Sequence, residues 1–138
     1  MTNYLLDTNV VSELRKSKPH AAVTAWIAAL RDDQIYISAV TIGELQRGIE
    51  RTRTQNAEKA FEIDDWVNRL ELSNNVLAMD SACFREWARL IRGKPDQLLE
   101  DAMIAATARV HELTVATRNE KDFARFPVDL INPFRAKS

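Results

Sequence analysis

The sequence predicts an α/β fold in which a central, mainly parallel sheet of about five strands carries helices on both sides. Three observations predict it. Five short β-type runs recur along the chain, and longer stretches with helical spacing of apolar residues lie between them. The runs are apolar without strict alternation, as in strands covered on both faces. The length of 138 residues suits one hydrophobic core, so a single domain over residues 1–138 is expected.

The expected strands are Tyr4-Leu5-Leu6, Ile35-Tyr36-Ile37-Ser38, Val76-Leu77-Ala78-Met79, Thr114-Val115-Ala116-Thr117 and Leu130-Ile131. The expected helices are Val10–Lys16, Ala21–Leu30, Ile42–Arg51, Ala57–Leu70, Ala82–Arg92 and Leu98–Leu113. Arg51–Asn56 is the most polar stretch and should join two helices. Gly93-Lys94-Pro95-Asp96 should end one helix and offer Asp96 as a cap for the next. There is no internal repeat, low-complexity tract or linker.

The composition excludes several classes of protein. Hydrophobic residues make up 46% and charged residues 28%, as in a folded globular chain and unlike a disordered or fibrous one. Nineteen basic residues face 20 acidic ones, so nucleic acid would have to be held by a local patch rather than by overall charge. Cys83 is the one cysteine and cannot form an internal disulfide; its setting reads as a small core residue. The start, Met1-Thr2-Asn3-Tyr4-Leu5-Leu6-Asp7, lacks the basic and apolar regions of a signal peptide, and no run is long enough to span a membrane. A cytoplasmic location is expected.

Three acids stand out. Asp7 follows the first strand, at the carboxyl edge where open α/β sheets bind ligands; it also suits the N-cap of the next helix. Glu44 lies in Ser38-Ala39-Val40-Thr41-Ile42-Gly43-Glu44-Leu45, where Thr41 and Glu44 have the spacing of a capping box. Asp101 opens seven uncharged residues, Ala102 to Ala108, on a helix that reads as largely buried. A carboxylate there calls for a cation or several hydrogen-bond donors. A fourth polar position follows the fourth strand, where either Asn119 or Asp122 could reach the cluster. Carboxylates about 4 Å apart repel by roughly 4 kcal/mol per pair at an effective dielectric near 20. An assembled cluster therefore needs a cation, and an all-oxygen donor set suits Mg²⁺ or Mn²⁺ rather than zinc.

Four motifs occur in order: Leu5-Leu6-Asp7-Thr8-Asn9-Val10-Val11-Ser12-Glu13, Ser38 to Leu45, Asp101 to Ala108, and Val115-Ala116-Thr117-Arg118-Asn119-Glu120-Lys121-Asp122-Phe123. Together they resemble the PIN-domain ribonucleases, specifically VapC-like and FitB-like toxins of bacterial toxin-antitoxin pairs, from about Tyr4 to Phe134. The resemblance implies a PIN-like fold and an endoribonuclease dependent on Mg²⁺, with Asp7, Glu44 and Asp101 matching the family's acids. It also implies a homodimer neutralised by a cognate antitoxin in a hetero-oligomer. Where some members carry a fourth Asp this chain has Asn119, whose carbonyl can hold water or metal but cannot act as a base; Asp122 is the alternative.

The chemistry implied is in-line attack of water on RNA, leaving a 5′ phosphate and a 3′ hydroxyl, with the metal held by Asp7 and Asp101. Glu44 would orient the water or help bind a second ion. Arg47, Arg51 and Arg118 are the candidates for RNA contact, while His20 and His111 read as surface residues. Trp26, Trp66 and Trp87 read as core or dimer packing. An antitoxin is expected to insert a basic side chain near Asp7, Glu44 and Asp101. Two other readings fit the same fold class: a receiver-like signalling domain with Asp80 as acceptor, and a non-catalytic binding module that keeps only the PIN fold.

Overall fold

The computed structural model describes residues 1–135. Five strands, β1 (Tyr4–Leu6), β2 (Ile35–Ser38), β3 (Asn75–Leu77), β4 (Thr114–Ala116) and β5 (Leu130–Ile131), form one sheet in the order β3-β2-β1-β4-β5. Every pairing is parallel, with Tyr4 opposite both Ile35 and Thr114. Seven helices connect them: α1 (Thr8–Arg15), α2 (Ala21–Ala28), α3 (Ala39–Arg53), α4 (Ala57–Ser73), α5 (Ser81–Ile91), α6 (Leu99–His111) and α7 (Glu120–Phe123).

Strand periodicity places the helices on both faces. Leu5, Tyr36 and Val115 face one core with Leu90, Leu98, Ile104 and Phe123 from α5, α6, α7 and the turn before α6. Their neighbours Leu6, Ile35, Ile37 and Ala116 face the other core with Val10, Val11 and Val23 from α1 and α2. The α3–α4 hairpin extends that second layer through Ile49, Ala60 and Val67. On α6 the run from Ile104 to Ala108 is fully buried, as its lack of charge requires. Cys83 is buried and free. No helix among the described residues is long and apolar enough to cross a membrane.

Several element ends differ from the expectations, each for a local reason. Helix α3 begins at Ala39, not Ile42, because Ser38 ends β2 and its hydroxyl accepts the Val40 N–H at 3.0 Å. Thr41 is thus inside the helix, and no Thr41–Glu44 capping box forms. Strand β3 ends at Leu77 because its partner strand ends at Ser38, leaving Ala78 and Met79 unpaired. Asp96 opens a short 3-10 turn rather than capping α6, whose N-cap is Leu98 with no side-chain bond. Gly93, at φ +75°, ends the α5 segment as expected. The single turn α7 was not anticipated; it is anchored by buried Phe123.

Candidate active site

Successive strands are laid down on one side of β1 as β2 and β3, and then on the other as β4 and β5. The boundary between β1 and β4 is therefore the topological switch point, where a crevice opens at the carboxyl ends of the strands. Asp7 ends β1 at this boundary. Its backbone N–H bonds Ala116 O at 2.9 Å, and its side chain is only 5% exposed. Oδ1 accepts the Thr8 N–H at 2.8 Å, while Oδ2 accepts the Thr117 hydroxyl at 2.7 Å and the Asn9 amide at 3.1 Å. Asp7 therefore does cap α1, and the same position sets it at the mouth of the crevice. Burial pushes its pKa above the usual carboxylate value, and the three hydrogen bonds oppose that rise.

Glu44 lies on the second turn of α3, which continues from β2 without a loop. Its Oε1 accepts the Thr8 hydroxyl at 2.7 Å. Burial raises its pKa to about 7, opposed by Thr8 and reinforced by a hydrogen bond with the Glu100 carboxyl and by the charges of Glu100 and Asp7. Asp101, in the first turn of α6, is also pushed up to about 7, first by burial and then by the charges of Asp7, Asp122 and Glu100. Its one side-chain donor among the described residues is the Asn119 amide, at 3.4 Å.

Asn119 and Asp122 both reach the cluster. The Asn119 Nδ2 lies 3.0 Å from Asp122 Oδ2 as well as near Asp101, and its backbone N–H donates to the Thr117 hydroxyl at 2.9 Å. The amide thus presents donors, not its carbonyl, to the two acids. Asp7, Glu44, Asp101, Asn119 and Asp122 come from four separate stretches of chain and converge on one crevice.

The arginine candidates are distributed differently. Arg47 Nη1 lies 3.8 Å from Glu100, at the edge of the acids. Arg51, one turn on, is exposed and has no carboxylate within 4 Å among the described residues. Arg118 stacks 3.8 Å over the Phe134 ring and extends to Glu13 at 4.0 Å, away from the acids. His20 is exposed and caps α2, and His111 is exposed on α6. Asp80 caps α5 through the Cys83 N–H at 3.0 Å after edge strand β3. With β2 between β3 and β1, it is not part of the Asp7 cluster, and the receiver-like reading gives way.

Four participants were not singled out from the sequence: Thr8, Asn9, Thr117 and Glu100. The first three hold Asp7 and Glu44 in place, and Glu100 couples Glu44 to Asp101. The signals were present, since Glu100 directly precedes Asp101 and Thr8-Asn9 directly follows Asp7.

The donor set fits a hard divalent cation. Two acids, Glu44 and Asp101, raised to about 7 by burial and by the charges of Asp7, Glu100 and, for Asp101, Asp122, are sites where a positive charge is favoured. Among the described residues no three metal-binding side chains close into a ready-made cage. Mg²⁺ does not need one, because it keeps several waters and uses one or two carboxylates. Asp7 and Asp101 are the pair suited to hold it, with Glu44 beside them.

The model of the PIN domain matches residues 4–129. The VapC ribonuclease Y4jK of Sinorhizobium fredii is 37% identical, over 94% of this chain and 96% of its own length. Toxin FitB of Neisseria gonorrhoeae is 35% identical, over 94% of this chain and 97% of its own. A chain in the crystal structure of FitAcB from Neisseria gonorrhoeae superposes with a TM-score of 0.84 at 31% identity, covering 96% of this chain and 99% of that one. With the family model spanning most of the chain and the five-stranded parallel sheet in place, the protein belongs to the PIN domain family.

Proposed function

We propose that this chain is the ribonuclease toxin of a toxin-antitoxin pair, hydrolysing RNA phosphodiester bonds with Mg²⁺ or Mn²⁺ to leave a 5′ phosphate and a 3′ hydroxyl. The observation that carries the reading is the convergence of Asp7, Glu44 and Asp101 at the β1–β4 switch point. The relatives support it: one is named a VapC ribonuclease and another Toxin FitB.

When bound, a divalent ion would make a coordinated water more acidic and offset charge on the phosphate. The protein's part is to hold and orient. Thr117 and Thr8 fix the two oxygens of Asp7, so that residue keeps one direction. Thr8 also fixes Glu44, which would orient the attacking water or help bind a second ion. Asn119 braces Asp101 and Asp122. Arg47, at the rim beside Glu100, would contact the phosphate backbone, with Arg51 extending that edge.

A nuclease active on the cell's own RNA must be silenced, which supports the reading of a cognate antitoxin as partner. An acidic crevice can also pair with an inserted arginine or lysine. Inhibition by the partner should then compete with Mg²⁺.

The deciding experiment is incubation of the purified protein with total RNA, with and without Mg²⁺ or Mn²⁺, beside the Asp101→Asn variant. Metal-dependent cleavage lost in the variant supports the reading. No cleavage under any metal condition leaves a non-catalytic binding module as the better account.

A further inference from the structure

The chain's net charge is −1, yet one face is strongly basic. An open depression of about 670 Å³ lies between the carboxyl end of α1 and α4. Arg15, Lys16 and Lys18 form one wall, while Lys59 and Arg69 rise from the other, with Glu62 the one acid. All five cations are exposed. Lys16 pairs with Glu13 at 2.9 Å and Arg69 with Asp65 at 3.4 Å. Among the described residues Arg15, Lys18 and Lys59 have no carboxylate within 4 Å.

Helix stability accounts for only part of this. Arg15 and Lys16 end α1, where cations complement the helix dipole. Lys59 sits in the first turn of α4, two residues past its start at Ala57, where the dipole opposes a positive charge. Lys59, Glu62, Trp66 and Arg69 recur at helical spacing, so α4 presents them on one face. Trp66 is half-buried: it packs on the core with Leu45 and Val67 and also lines the depression. A basic groove with an aromatic wall is the arrangement that tracks a single-stranded phosphate backbone and stacks a base.

The depression is also connected to the acid cluster. Glu13 holds Lys16 on one side and lies 4.0 Å from Arg118 on the other. Arg118 directly precedes Asn119, which bonds Asp101 and Asp122. Arg118 thus reaches from the loop that carries Asn119 to Glu13, near the carboxyl end of α1 and beside Lys16.

We infer that the basic depression formed by Arg15, Lys16, Lys18, Lys59, Arg69 and Trp66 is a second binding site for single-stranded RNA, holding the strand away from the bond that is cut. The inference rests on the ribonuclease reading and extends it to substrate selection. An acidic protein segment is the competing occupant; the exposed face of Trp66 set among the cations suits a base stacked beside its phosphates, so RNA is favoured.

The test uses the triple variant Lys18→Gln, Lys59→Gln, Arg69→Gln, all exposed positions. Both it and its parent carry Asp101→Asn so that bound RNA stays intact. Affinity for a labelled unstructured RNA of about 16 nucleotides is measured against salt, with one of about 4 nucleotides as control. The site predicts about tenfold weaker binding of the longer RNA and a salt slope shallower by about 2, at roughly 0.7 per lost phosphate contact. Binding of the shorter RNA should be unchanged. Separately, Trp66→Leu should weaken the longer RNA without changing the slope. Unchanged affinity and slope in the triple variant overturn the inference, as does loss of antitoxin binding with RNA affinity intact. Cleavage of total RNA by the protein with native Asp101 reports on the ribonuclease reading independently; if no metal supports it, that reading fails and takes this one with it.

Discussion

The Thr117 hydroxyl donates to Asp7 Oδ2 at 2.7 Å, tying the end of β4 to the end of β1 across the switch point. The same hydroxyl oxygen accepts the Asn119 N–H at 2.9 Å. One side chain therefore orients a proposed metal ligand and the loop that carries the fourth polar position.

Replacing it by an isosteric group isolates that role. Thr117→Val keeps the shape but leaves a buried carboxylate short of one donor, at a cost of about 2 kcal/mol. Urea denaturation should record that loss. Mg²⁺ affinity should fall about 10-fold or more, as when an orienting partner is removed from a ligand. A variant with parental stability and metal affinity would show that Thr8 and Asn9 suffice to hold Asp7.

The raised acids give a pH dependence with a definite sign. Asp101 and Glu44 sit near 7 against ordinary values of 3.8 and 4.5. Between about pH 4 and 7 the folded protein keeps protons that the unfolded chain has released, so their effect on stability worsens as pH rises and levels off above. Glu50 and Glu86, held below the ordinary range chiefly by arginines, act in the opposite direction. The comparison must therefore be made between proteins. Metal-free Asp101→Asn should match or exceed the parent Tm near neutral pH, with the difference shrinking toward pH 4. Mg²⁺ should raise the parent's Tm and not the variant's. Cleavage should fall by about two orders of magnitude or more. A variant that still cleaves near the parental rate would remove Asp101 from the chemistry.

The parallel sheet was legible because its strands are short and apolar on both faces, and the run after Asp101 could only be a buried helix. Asp7 was legible by its place after a strand. What escaped depends on contacts distant in sequence. Glu44 has a capping-box spacing with Thr41, but Ser38 takes the cap and the carboxylate turns to Thr8, 36 positions away. Glu100 resembles an ordinary acid in a first helical turn, and only the packing of α6 beside α3 brings it to Glu44. The end of β3 depends on where its partner stops, which no local pattern reveals.

The end of α6 supplies a prediction independent of function. The spacing suggests a helix to Leu113, but Glu112 turns left-handed at φ 56°, and the Leu113 N–H closes on Ala108 O at 2.8 Å. That closure usually falls to glycine, which has no Cβ to strain. Glu112→Gly should therefore stabilise the fold by about 1 kcal/mol, raising Tm by about 4 °C. RNA cleavage should be unchanged, because Glu112 lies at the opposite end of α6 from Asp101.

The last prediction concerns Asn119 and Asp122, which share a hydrogen bond at 3.0 Å. Asn119 donates toward Asp101 and Asp122, and so eases repulsion in the absence of metal. Asn119→Asp removes those donors and adds a carboxylate between two others. Without metal the variant should be less stable than the parent, most clearly above pH 7 where the neighbouring acids are ionised. With Mg²⁺ the order should narrow or reverse, because an added carboxylate strengthens the hold on a divalent ion. Asp122→Asn should relieve Asp101, whose pKa it helps to raise, and change Mg²⁺ affinity by less than tenfold, about 1.4 kcal/mol. Thermal shift titrations with Mg²⁺ separate the two positions. If Asp122→Asn loses more than tenfold while Asn119→Asp gains nothing, Asp122 is the metal ligand, and Asn119 serves only to keep Asp101 and Asp122 apart.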